Sequence, residues 1–312
     1  MTLRVYYGSE LARYGFGDGH PFGNDRLDAF WRRFTEGGLD RFVEVTNPVA
    51  ASEEELVRFH TPEYVRYVKK LSKTGSGYLD YGDTPAFVGV YEAASFVVGS
   101  VLDAVAHAFT GRKRCGFVPI AGMHHARRDR AGGFCVFNDI GVALETLRRV
   151  HGVQRIAYVD IDAHHGDGVF YSFADDPELF IADIHEDGRY LYPGTGRVEE
   201  TGEGQGKGTK LNLPMLPGAG ESEFRQAWDR VETFVRDARP EFILLQAGAD
   251  SIAGDPLTDL RFNVGCHAHA AQQLCAIADE LCEGRLVATG GGGYNRENLA
   301  LAWTAVVKAM LG

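Results

Sequence analysis

Residues 158–168 read Tyr-Val-Asp-Ile-Asp-Ala-His-His-Gly-Asp-Gly. The apolar stretch 155–159 ends abruptly in Asp160, Asp162, His164 and Asp167. Residues two apart on an extended chain point the same way, so Asp160, Asp162 and His164 share a face where strand geometry persists. Oxygen and nitrogen donors on one face suit a borderline-soft divalent metal such as zinc. A single Asp or His after a strand is ordinarily a solvated loop residue. Four such groups at the end of a buried strand call for another explanation, because an unpaired buried charge is costly.

Working outward, further short apolar runs read as buried strands at 3–6, 116–120, 179–182, 242–246 and 286–289. Helical patterns lie between them at 53–71, 90–109, 139–150, 221–238, 266–282 and 296–310. This alternation predicts an α/β fold with a central, mostly parallel sheet covered by helices on both faces. No break rich in Pro, Ser or charge divides the 312 residues, so one domain spanning 1–312 is expected. The Gly-rich segment 201–208 reads as a mobile loop.

The composition narrows the function. Hydrophobic residues make up 45% of the chain, but no run is long enough to span a bilayer, and no secretory signal opens the sequence. A formal net charge of −11 disfavours non-specific nucleic-acid binding and favours cationic ligands. The five cysteines form no C-x-x-C pair, as expected of reduced thiols in a cytoplasm.

Polar clusters follow four of the strands: His124-His125, Asp160 to Asp167, Asp250, and Gly290 to Gly293 with Tyr294. Open α/β sheets place their sites beyond the carboxyl ends of strands, so one composite site is expected. Asp162, His164 and Asp250 supply three ligands and leave a position open, the arrangement of a catalytic rather than a structural zinc. Adjacent histidines cannot both face one point on a regular strand. A turn must present His124 and His125, and Gly122, Gly132 and Gly133 suit one. Asp160 and Asp167 are candidates to hydrogen-bond the two imidazoles and tune their basicity. The Tyr294 hydroxyl is a candidate oxyanion donor.

These residues stand in segments that resemble the zinc-dependent histone deacetylases, most closely the bacterial acetoin-utilization-type and acetylpolyamine deacetylases. The segments are 122–138 (GMHHARRDRAGGFCVFN), 158–168 (YVDIDAHHGDG), 192–196 (YPGTG), 246–256 (QAGADSIAGDP) and 290–295 (GGGGYN), with His20-Pro21 and Gly82-Asp83 also matching. The resemblance implies the arginase/deacetylase-type fold and release of acetate from acetylated amines, on a small molecule or a protein. It implies zinc on Asp162, His164 and Asp250. His125 would be the general base and acid, held by Asp167, with His124, held by Asp160, as electrostatic partner. Tyr294 would clamp the acetyl oxygen. Phe134, Gly133 and Tyr192 would line the acyl tunnel, and Asp83 would lie at its rim. A monovalent cation, K⁺ or Na⁺, would draw on Asp160, Asp162, His164, Asp183 and Ile184.

The chain departs from histone-directed members at Asp183, where many have Ser, and at Tyr192, where Phe is usual. Leu257 stands where a polyamine-selective member can carry a Glu gatekeeper. Asp18 puts a carboxylate near the tunnel mouth, which with Asp83 suggests an entrance that attracts cations. Acetyl-lysine proteins and acetylated diamines both stay open as substrates, as does homo-oligomerisation.

Two other functions compete. A two-metal ureohydrolase fits the Asp162-Ala163-His164 run but needs more bridging carboxylates, and Asp255 is too far past Asp250. A non-catalytic reader of acetyl groups would be expected to lose His125, Tyr294 or a ligand. The run 290–293 lacks the Lys-Ser/Thr of a phosphate loop. His267, His269, His107 and His151 read as ordinary helix, packing or surface residues.

Overall fold

The computed structural model describes residues 2–17, 19–112 and 114–312. Eight strands form one sheet: β1 (Thr2–Tyr6), β2 (Glu44–Thr46), β3 (Arg114–Val118), β4 (Ile156–Asp160), β5 (Leu179–Glu186), β6 (Lys210–Met215), β7 (Phe242–Gln246) and β8 (Leu286–Thr289). Their order is β2-β1-β3-β8-β7-β4-β5-β6, and every pairing is parallel. The central strands are apolar along their length because both faces are covered: all five residues of β4 and all five of β7 are buried.

The helices are α1 (Ser9–Ala12), α2 (Arg26–Glu36), α3 (Glu53–Leu56), α4 (Pro62–Ser72), α5 (Val90–Ala108), α6 (Asp139–Arg149), α7 (Asp167–Ser172), α8 (Glu221–Ala238), α9 (Val264–Leu281) and α10 (Arg296–Leu311). One layer is α8, α9, α10 and α2, packed side by side; α4, α5 and α6 form the other. β8 touches α5 from one layer and α9 from the other. No described helix is long and apolar enough to cross a membrane.

Several local expectations need correction. The pattern at 53–71 is two helices. Ser52 and Glu55 form a capping box on α3, and Thr61 caps α4 with Pro62 in its first turn. Proline at a helix start cannot continue a preceding helix, so the chain breaks between them. Strands β2 and β6 and helix α2 were not expected. The two strands lie at the sheet edges, and polar residues interrupt their apolar pattern: Glu44 and Thr46 in β2, Lys210 and Asn212 in β6. Strand geometry stops at Asp160, so Asp162 and His164 are brought together by the loop beyond β4 and not by alternation along it. The segment at 201–208 holds a short 3-10 turn at Gly204–Gly206.

Candidate active site

β3, β8, β7 and β4 are consecutive in the middle of the sheet, so the loops at their carboxyl ends lie side by side. There His164 Nδ1 stands 3.1 Å from Asp162 Oδ1 and 3.0 Å from Asp250 Oδ2, all three side chains being buried. Backbone and amide donors anchor both carboxylates. Asp162 Oδ2 accepts the Gln246 amide and the Gly292 N–H, both at 2.8 Å, and Asp250 Oδ1 accepts the Ala163 N–H at 2.9 Å.

The donor set fits a divalent ion. Its three ligand atoms lie within 4.8 Å of one another, and no second such group occurs among the described residues. Ligands about 2.0–2.2 Å from a tetrahedral zinc are roughly 3.3–3.6 Å apart, close to the spacing seen. Burial and the neighbouring Asp162 push the Asp250 carboxyl up to about 7, a conflict between buried carboxylates that a cation removes. Asp255 lies outside this trio; its oxygens accept the N–H groups of Leu257 and Tyr294.

Beside this trio, His124 and His125 point their Nε2 atoms at each other, 3.0 Å apart. His124 Nδ1 meets Asp160 Oδ2 at 2.8 Å, and His125 Nδ1 meets Asp167 Oδ1 at 2.8 Å. The Tyr158 hydroxyl donates to Asp160, and Arg127 donates to Asp167. Burial disfavours charge on both rings, but Asp160 and Asp162 outweigh it at His124, which rises to about 10. Burial and the charged His124 push His125 down to about 4, against the pull of Asp167. The pair is therefore asymmetric: the carboxylates around His124 favour its charged form, while burial beside that ring favours the neutral form of His125, whose Nδ1 faces Asp167.

The turn presenting these rings is gripped by the start of α6. Asp139 accepts the N–H groups of Gly122 at 2.6 Å and Met123 at 2.7 Å. The Asn138 amide donates to the carbonyls of His124 and Ala126, while its oxygen caps α6. Gly133, at φ +52°, lies so close to His125 that a Cβ would stand 2.4 Å from its ring. Phe134 holds φ +67°, uncommon for a bulky residue, and packs edge-on against Tyr294 and His20. Tyr192 packs edge-on against His125.

Gly290 to Gly293 let the backbone approach the carboxylates. A Cβ at Gly292 would lie 2.1 Å from Asp250 Oδ2. The buried Arg26 holds this loop, donating to the carbonyls of Gly291 and Gly293. Asp139, Asn138, Gln246 and Arg26 escaped sequence reasoning, because their partners are mostly backbone groups, which leave no residue pattern in the chain. His267 is buried and bonds the Gly248 carbonyl.

Outside the rings opens a cleft of about 570 Å³, lined by residues including Asp80, Asp83, Arg127, Arg130, His125 and Tyr192. Its lining carries both signs of charge. Asp18 lies outside the described residues. Asp183 pairs with Asp160 across β4 and β5; its oxygens meet His185 Nδ1 at 2.7 Å and the Gly166 N–H at 2.9 Å. Ile184 beside it is buried. Leu257 is partly exposed.

A parallel α/β sheet that carries a buried Asp-His-Asp trio able to hold a divalent metal, beside two His–Asp pairs, has the layout of a metal-dependent hydrolase. The histone deacetylase domain matches residues 20–310, and the chain belongs to that family. The acetoin utilization protein AcuC of Bacillus subtilis (strain 168) is 35% identical, covering 98% of this chain and 81% of that protein. A probable deacetylase of Archaeoglobus fulgidus is 34% identical, over 100% of this chain and 87% of that one. The crystal structure of the HDA15 HD domain superposes with a TM-score of 0.91 at 28% identity, covering 99% and 89% of the two chains. The chain thus has the arginase/deacetylase fold and is a deacetylase, an amide hydrolase of a family that is zinc-dependent in general.

Proposed function

We propose that residues 1–312 act as one deacetylase domain that frees an amine and acetate at a single metal site. The observation that carries this reading is the convergence of the Asp162, His164 and Asp250 trio with two buried His–Asp pairs. Zinc held by the trio would polarise the acetyl carbonyl and acidify a water. His125 takes the water's proton at Nε2 and returns a proton to the leaving nitrogen. Asp167 keeps that ring oriented through Nδ1. His124, charged through Asp160, stabilises negative charge beside it. Tyr294 donates its hydroxyl to the oxyanion. Gly133, Phe134 and Tyr192 wall the acyl chain, and Asp83 receives backbone N–H groups at the rim.

The backbone and carboxylates at Asp160, Asp162, His164, Asp183 and Ile184 are assigned to a structural K⁺ or Na⁺. The five free thiols suit a reducing compartment such as the cytoplasm. The test is acetate release from an acetyl-lysine peptide and from a short acetylated diamine. Turnover of either supports the reading; binding of both without acetate release favours the non-catalytic reader.

A further inference from the structure

We propose that Arg130 is a specificity-determining residue that selects acetylated amines carrying a carboxylate close to the acetylated side chain. The inference rests on the deacetylase site proposed above and deepens it.

The charges that line the cleft differ in what they have left to offer. Asp80 is saturated: one oxygen accepts the N–H groups of Gly82, Asp83 and Thr84, and the other takes the Thr84 hydroxyl. Arg127 donates to Asp167 and lies over the Tyr171 ring. Asp167 is shared between Arg127 and His125. Asp83 shares a hydrogen bond with the neighbouring Asp80 carboxyl, its Oδ1 standing 3.2 Å from the Thr84 hydroxyl. Arg130 is different. Its paired carboxylate is that of the adjacent Asp129, at 3.6 Å and itself 62% exposed, and its own side chain is 45% exposed. A solvated contact of that kind is easily exchanged for a better acceptor.

The position of Arg130 is not accidental to the site. Its carbonyl accepts the Arg127 N–H at 2.9 Å, closing a tight turn that begins two residues after His125 and ends before Gly132 and Gly133. The turn therefore fixes the base of the Arg130 side chain relative to the acyl pocket. An extended peptide with its acetyl-lysine in the cleft advances about 3.3 Å per residue, so a neighbouring side chain falls within reach of a long guanidinium. Guanidinium pairs with carboxylate bidentately. The carboxylate has two sources of the same chemistry: an acidic residue beside acetyl-lysine, or the α-carboxylate of free Nε-acetyl-lysine.

The experiment compares acetyl-lysine peptides flanked by Gly, by Glu or by Lys, together with Nε-acetyl-lysine and its C-terminal amide. Each is measured by binding (competition with a labelled peptide) and by kcat/KM for acetate release, in the wild type and in Arg130→Gln and Arg130→Glu. Ratios between substrates are internal to each protein, so a general loss of activity does not affect them. The wild type is expected to favour Glu-flanked over Lys-flanked peptide about two- to tenfold, less at high salt. Arg130→Gln should flatten that preference and Arg130→Glu should reverse it. A charge effect seen only between free acetyl-lysine and its amide assigns the carboxylate to the substrate's own backbone and also supports Arg130. Unchanged ratios in Arg130→Glu overturn the proposal. If no substrate releases acetate, the deacetylase reading fails, and the binding ratios still decide the role of Arg130.

Discussion

Asp139→Asn should cripple turnover without emptying the metal site. Both Asp139 oxygens accept short backbone bonds, at 2.6 and 2.7 Å, in a fully buried position. Asparagine keeps one acceptor and turns its NH₂ toward the second N–H. One charge-assisted bond is lost, about 1.5–3 kcal/mol, and a buried donor is left unpaired, about 1–3 kcal/mol. The turn relieves this by moving. The two N–H groups belong to Gly122 and Met123, immediately before His124 and His125, whose Nε2 atoms sit 3.0 Å apart. A displacement of about 1 Å in such a site costs roughly 100-fold in rate. None of the metal ligands accepts a bond from this turn's backbone, so zinc content should stay near one equivalent. The assay is steady-state acetate release, with zinc measured in the same preparation and Tm recorded. A fall of roughly 100-fold in kcat, KM little changed, supports the positioning role. A kcat within about threefold of wild type, with Tm lowered by several degrees, would refute it: Asp139 would then serve stability alone.

Tyr294→Phe should retain fold and zinc but lose roughly 100- to 1,000-fold in kcat, the range for one oxyanion donor; near-normal turnover would remove Tyr294 from the mechanism. Burial, then the hydrogen bond and charge of Asp80, push the Asp83 carboxyl up to about 6. A raised carboxyl loses its charge as pH falls through that value, so kcat/KM should decline below about pH 6. Asp80→Asn removes a raising influence and should move this acidic limb to lower pH; a limb that stays in place would show that Asp83 does not control it.

The parts of the molecule that were legible in the sequence are those whose signal is local. Buried parallel strands read as continuous apolar runs, so β3, β4, β7 and β8 were visible, and with them the loops that build the site. The His124-His125 pair announced a turn because no strand can aim both rings at one point, and the structure supplies that turn. The edge strands escaped because they are not apolar: β6 begins with the buried Lys210, whose ammonium is solvated by the carbonyls of Asp176 and Leu179. The break at Thr61-Pro62 was readable from capping chemistry and was masked by the apolar periodicity running across it. Arg26, Asp139 and Gln246 stayed hidden for a different reason. Each satisfies groups brought near by the fold, such as the Gly291 carbonyl 265 positions from Arg26, and one sequence holds no record of such pairings.

The central claim is that one metal ion, on Asp162, His164 and Asp250, supports amide hydrolysis. The direct test is zinc titration of metal-stripped protein, with acetate release from an acetyl-lysine peptide as the signal and Asp250→Ala as the control. Activity should rise linearly to one equivalent and then stay level, and the Asp250→Ala protein should neither retain zinc nor respond. A plateau at two equivalents, or full activity in the stripped protein, would contradict the account.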